Sequence, residues 1–237
     1  MSNINTLTEI RKGQTGTGLL VESDGYVSLD LKDNRRLCES VVGQDGISEL
    51  PRPFVVYAVF QKFGIENANG RIYPEDVLKR EVEKYRQLIA DRRAVGELEH
   101  PEDSNVNLER VCINIIDLWW EGRTLVGKME ILISDGFRRY GIISCLGDQV
   151  AHLLLSGIKI GVSSRALGSV KQVGGTLIVQ QDLSIISWDV VHSPSTPLAY
   201  ISQTEDKLEA YKESVKHDDS KLIKEDKYSK FDAWLNG

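Results

Sequence analysis

Between Phe54 and Val191 the chain repeats one pattern: apolar runs of strand length, rich in β-branched and aromatic residues, each cut off by turn residues. Phe54-Val55-Val56-Tyr57-Ala58-Val59-Phe60 suits a buried strand. Runs at 111–120 and 123–133 are joined by the tight Glu121-Gly122 turn, and a pair at 168–173 and 176–182 turns at Gly174-Gly175. Another strand leads into Val162-Ser163-Ser164, and a last one runs from Ile185 to Val191 before Pro194 and Pro197 stop it. Two helices lie between these strands. Pro74-Glu75-Asp76 makes a good first turn, and Leu78, Val82, Tyr85 and Ile89 continue at helical spacing to about Arg93. The second covers Gly147–Ser156 and ends at Gly157. Strands dominate, so the sequence predicts the α+β class: a small closed or curled β-barrel surrounded by helices.

Outside this region the composition changes. Residues 1–50 are rich in Gly, Asp, Ser and Asn, with strand-like runs only at 17–22 and 26–31, and read as an N-terminal arm or propeptide. Residues 51–202 form the core, and 203–237 a charged C-terminal tail ending in Phe231-Asp232-Ala233-Trp234-Leu235. That tail reads as a solvated helix or as a docking peptide. At 237 residues the chain can bury a substantial core as one domain. Its net charge of −6 offers no basic field to nucleic acid or to an anionic membrane. No apolar run reaches the roughly 18–20 residues a spanning helix needs, and the opening MSNINTLTEIRKGQTG lacks a signal peptide's apolar block. Cys38, Cys112 and Cys145 are odd in number, widely spaced and without C-x-x-C, which fits reduced thiols of an intracellular protein.

Three short segments carry candidate chemistry. His100, in Gly96-Glu97-Leu98-Glu99-His100-Pro101, is expected where a strand meets a loop, and histidine is the natural general base near neutral pH. In isolation the commoner reading is a surface histidine beside two acids. Ser163-Ser164-Arg165 is a hydroxyl pair placed at a strand end, with Gly168 nearby to admit backbone N–H donors and Arg165 to add positive charge or order a donor loop. Its bland alternative is a polar turn. Asp189 lies inside an otherwise apolar strand, where an unpaired carboxylate costs several kcal/mol, so it requires a partner. A histidine ring N–H would serve, and so would a structural salt bridge. His192 and Asp182 are rival third members; His152 falls within a helix and His217 in the tail. No two histidines stand at ligand spacing and no phosphate-binding glycine loop is present, so neither a metal nor a cofactor is expected.

Four blocks, in order, resemble the prohead core proteases of tailed phages, the T4-like branch distantly similar to herpesvirus assemblins. They are Asn69-Gly70-Arg71-Ile72-Tyr73-Pro74, Gly96–Pro101, Gly161-Val162-Ser163-Ser164-Arg165-Ala166-Leu167-Gly168-Ser169 and Asp189-Val190-Val191-His192-Ser193-Pro194-Ser195. The resemblance spans about residues 54–201. It implies a β-barrel with surrounding helices and a serine endopeptidase whose base falls on His100, nucleophile on Ser163 (Ser164 is the adjacent register) and acid on Asp189. Ala166 stands where members often carry glycine. The implied substrates are procapsid scaffold proteins, the major capsid protein's leader and the protease itself, acting inside the procapsid in the host cytoplasm, with self-association as a dimer. T4-like members tend to cut after glutamate with Ile or Leu two residues earlier. Leu7-Thr8-Glu9, Leu20-Val21-Glu22, Leu37-Cys38-Glu39, Ile47-Ser48-Glu49 and Ile223-Lys224-Glu225 fit, crowded into the arm and tail. Two rival readings keep the same sequence: a non-catalytic protease-like assembly component of the procapsid, and a hydrolase of small esters.

Overall fold

The structure, a computed structural model, describes residues 10, 15–21, 42–43, 46–47, 50, 52–101, 103–196 and 201–202. The chain divides into two units, Met1–Ile201 and Ser202–Gly237, and all the described helices belong to the first. The strand-like run at 26–31, Cys38, His217 and the tail's aromatic end lie outside the described residues.

Two sheets share one apolar core. The first contains β1 (Gly16–Val21), β5 (Arg71–Ile72), β9 (Gly161–Val173), β10 (Thr176–Val179) and β11 (Ser184–Val191). Four neighbouring strands of the second are, in order, β4 (Phe54–Lys62), β8 (Thr124–Ile131), β7 (Val111–Glu121) and β6 (Val95–Glu97). A separate ladder joins β2 (Val42–Gly43) to β3 (Gly46–Ile47). Hairpin β7–β8 turns where expected, with Gly122 at φ 56°, the left-handed conformation glycine adopts without a steric cost. β9 is one continuous strand: it pairs with β11 over its first half, with β10 over its second, and with β1 on its other edge. Within the 1–50 segment, then, β1 is a member of the first sheet, and Leu19 and Leu20 are buried.

Helix α1 (Glu75–Ala90) begins after Pro74 and carries Glu75 and Asp76 in its first turn, where acids meet the positive end of the helix dipole. Its face of Val77, Leu78, Val82 and Tyr85 is buried, and the Tyr85 ring meets Trp188 of β11 edge-on at 4.7 Å between centroids. Phe60 of β4 makes a second edge contact with Trp188 at 5.8 Å. Helix α2 (Asp135–Tyr140), unforeseen from sequence, is capped by Ser134. Helix α3 (Leu146–Leu155) stops before Gly157, at φ 77°. None of the described helices is long and apolar enough to cross a membrane.

The helix-surrounded β-barrel expected from sequence is not what forms. Neither sheet closes, and helices are few among the described residues. Closure fails visibly where β6 approaches β11. A continuing ladder there would give the Glu97 N–H to a backbone carbonyl, but it donates instead to Asp189 Oδ1 at 3.0 Å. One parallel bridge remains, Leu98 to Val190. Gly96 permits this approach: a Cβ on it would lie 2.1 Å from the Trp188 carbonyl oxygen and 2.8 Å from Ile113 Cδ1.

The link between α2 and α3 is organised by the buried Asp148. Its carboxylate accepts from the backbone N–H of Ser134 (2.7 Å), Ser144 (2.8 Å) and Cys145 (3.1 Å), and from both serine hydroxyls. Burial pushes this carboxyl up, but the hydrogen bonds from Ser134 and Ser144 outweigh it and hold the group down at about 2.

Gly96→Ala should lower stability by about 2–4 kcal/mol in urea unfolding, because backbone oxygen must move to admit the methyl. Asp148 is depressed on folding, so its contribution is complete above the unfolded carboxylate value near 3.9 and lost as pH falls toward about 2. Asp148→Asn should therefore cost about 2 kcal/mol at pH 7 and flatten the stability profile between about pH 4 and 2, as read by denaturation at each pH.

Candidate active site

A bulge in β11 decides what faces what. The register with β9 shifts between Ile185 and Ser187, so Ile186 is the extra residue. Beyond it Ser187 stands opposite Arg165, Trp188 opposite Ser164, and Asp189 opposite Ser163. Cross-strand partners project from the same face. Ser163, Arg165, Ser187 and Asp189 therefore share one face, and Ser164 shares the other with Trp188 in the core. The two serines that sequence left as alternatives are separated by the sheet. Ser163 is the third residue of a 13-residue strand, not at a strand end as expected.

Asp189 is fully buried, and its carboxylate is saturated. Oδ1 accepts from Glu97 N (3.0 Å) and Ser187 Oγ (2.9 Å). Oδ2 is shared by His100 Nδ1 (2.8 Å) and Arg165 Nε (2.9 Å). Burial alone would raise its proton affinity, but the His100 hydrogen bond and charge, then Arg165 and the Glu97 N–H, hold it below the usual carboxylate range. A carboxylate only accepts, so Nδ1 of His100 carries a proton, and in the neutral ring Nε2 presents the lone pair. Nε2 is buried and has no hydrogen-bond partner among the described residues.

His100 reaches this place because the chain reverses just past β6. Glu99 adopts φ 61°, a left-handed conformation uncommon outside glycine, and is fixed there by its N–H to Val190 O at 2.7 Å. Its carboxylate also accepts from the backbone N–H of His192 at 3.2 Å.

Arg165 has no N–H to spare. Besides Asp189, its guanidinium donates to Glu97 Oε1 (2.6 Å), Ser187 Oγ (3.2 Å) and the carbonyls of Asp103 (2.7 Å) and Asn105 (3.2 Å). Five donors meet five acceptors in a fully buried side chain. The last two bonds tie down the loop after His100.

The chemistry within reach is proton transfer at Nε2, with the imidazole held by a buried, ionised carboxylate. The family model for prohead core protein serine proteases matches residues 19–209. The chain belongs to that family. It is 30% identical over 190 residues to the prohead core protein protease of Enterobacteria phage T4, which covers 79% of this chain and 84% of that protein. Its fold is similar to that of the bacteriophage T4 capsid assembly protease, with a TM-score of 0.56 at 26% identity over 74% of this chain and 98% of the T4 one.

In this prohead core protease the remaining candidates stand apart from the His100–Asp189 pair. His192 is exposed, with its ring Nδ1 2.8 Å from Ser193 Oγ. Asp182 accepts from Ser169 N (3.0 Å) and Oγ (2.8 Å) at an exposed turn. His152 is an exposed residue of α3. Gly168 lies inside β9 opposite Gly18, and a Cβ there would come within 3.2 Å of Leu183 Cα, so its smallness serves strand packing. Sequence reasoning missed Glu97. It is fully buried, and its carboxylate also takes Asn107 N (3.0 Å) and faces Arg110 Nε (3.3 Å). The available signal was the one that exposed Asp189: an acid at the end of the apolar stretch Ala94-Val95-Gly96.

Asp189→Asn should destabilise the protein by about 3–5 kcal/mol at neutral pH, because it leaves the buried Arg165 short of a charge partner. Since Asp189 is depressed on folding, that difference should shrink as pH falls below about 4, which chemical denaturation at two pH values would detect.

Proposed function

We propose that this chain is a serine endopeptidase that matures a phage procapsid, with Ser163 as nucleophile, His100 as general base and Asp189 as the acid that orients it. The observation that carries the reading is the His100 ring: Nδ1 is fixed on a buried carboxylate, Nε2 has no hydrogen-bond partner among the described residues, and Ser163 stands directly opposite that carboxylate's residue on the same face. Nε2 takes the Ser163 proton as Oγ attacks the scissile carbonyl. The imidazolium then protonates the leaving amine, and water, activated by the same base, releases the acyl-enzyme. Asp189 stays ionised throughout and stabilises the imidazolium. Arg165, with every N–H engaged, supports the loop after His100.

The substrates in this reading are polypeptides enclosed in the procapsid: scaffold proteins, the capsid protein's leader and the chain's own ends. The T4 relatives, named as prohead core and capsid assembly proteases, support that setting. Among the self-cleavage candidates, Leu20-Val21-Glu22 overlaps β1 and Ile47-Ser48-Glu49 starts in β3, and the pairings of those strands with β9 and β2 protect the backbone there. Self-processing should therefore favour the other candidate sites.

Co-expression with the cognate scaffold protein tests the assignment. Ser163→Ala and His100→Ala should each slow processing by on the order of 10⁴–10⁶. Ser164→Ala, on the Trp188 face, should leave processing within several-fold of wild type and lower the melting temperature. Wild-type processing by Ser163→Ala would refute Ser163 as nucleophile, and wild-type processing by both serine variants would refute the serine mechanism.

A further inference from the structure

The buried acid at the end of β6 is unused by the reaction as written. The charged and titratable groups around it come from several elements. Arg165 comes from β9, Asp189 from β11, and Arg110 and Cys112 from the start of β7 and the turn before it. Tyr85 of α1, packed on Trp188, feels the charges of Asp189 and Arg165, and Glu99, Asp103 and His192 lie on the flanking loops. Burial raises the Cys112 thiol and the Tyr85 phenol well above their ordinary values, so both are neutral at physiological pH. Among the groups in direct contact, two acids, Glu97 and Asp189, face two cations, Arg165 and Arg110.

The balance matters because of one shared atom. Arg165 Nε and His100 Nδ1 both bond Asp189 Oδ2. A permanent guanidinium there competes with the imidazole for the carboxylate's charge, and it opposes the imidazolium through which a general base must pass. Glu97 holds the far end of the same guanidinium at 2.6 Å. We propose that Glu97 is a positioning residue for the base: its carboxylate offsets the Arg165 charge, leaving Asp189 available to stabilise protonated His100. The proposal builds on the assignment of His100 as base and explains how a triad acid can share its oxygen with an arginine without losing its effect.

Charge makes the test directional. Glu97→Gln keeps acceptors for Arg165 and Asn107 but removes the negative charge. It should move the midpoint of the acidic limb of the kcat/KM profile down by about 1 pH unit and reduce kcat about tenfold, with little change in KM. Glu97→Asp, which restores the charge, should return the midpoint toward wild type. Arg110→Gln removes a cation from the other side of Glu97, at a side chain 41% exposed, and should move the midpoint up by a smaller amount. Simple loosening of the site would not produce shifts of opposite sign. The same variants placed on Ser163→Ala allow the His100 ring to be titrated by NMR without catalysis. Ring midpoints that move down for Glu97→Gln and up for Arg110→Gln uphold the coupling. If the rate profiles then fail to track them, it is the assignment of His100 as base that is overturned. Midpoints that stay put, or move in the same direction in both variants, overturn the proposal. Should Glu97→Gln not fold, Arg110→Gln decides alone: an upward shift supports the proposal, and any other result overturns it.

Discussion

Asp189 carries a charge into a strand otherwise made for the core, and four parts of the chain are arranged to satisfy it. The end of β6 donates a backbone N–H, β11 itself a serine hydroxyl, β9 a guanidinium, and the loop past β6 an imidazole. A carboxylate deprived of any of these in a dry interior would cost several kcal/mol, so folding must bring all of them together. The same carboxylate thereby joins the two sheets, because the N–H it takes from Glu97 is one a ladder would otherwise use. Site and architecture are bound through one side chain.

That dependence explains which features sequence could reveal. Asp189 among Ile, Trp and Val announced a buried charge in need of a partner, and a histidine proved to be one. Apolar runs and their glycine turns marked β4, β7, β8 and β11 because each is decided by neighbours in sequence. The closed barrel was misjudged because closure depends on how strand edges meet across a seam, as where the Glu97 N–H meets a carboxylate, which no local pattern records. β9 read as two strands because the polar Ser163-Ser164-Arg165 resembles a turn, and the role of Gly168, admitting the Leu183 backbone, appears only once the strands are paired.

Other misses share that cause. β1 hides in a glycine-rich stretch, and its place becomes legible only through the edge of β9 that it covers. α2, at six residues, is too short to show a helical period and is held by the Ser134 cap. Glu97 and the saturation of Arg165 depend on register, and register depends on a bulge that composition does not signal. The choice between Ser163 and Ser164, open on sequence, becomes a matter of which face of a sheet each occupies.

The bulge at Ile186 has a further consequence for how this segment can vary. Side chains in a strand alternate, so taking one residue out of β11 ahead of Ser187 would turn its far half over. The indole would then point toward His100 and the carboxylate into the aromatic cluster formed with Phe60 and Tyr85. Residue 186 can thus exchange one apolar side chain for another at little cost, while its mere presence as a spacer is indispensable. Here chain length between two points, and not the identity of what fills it, is the quantity on which activity depends.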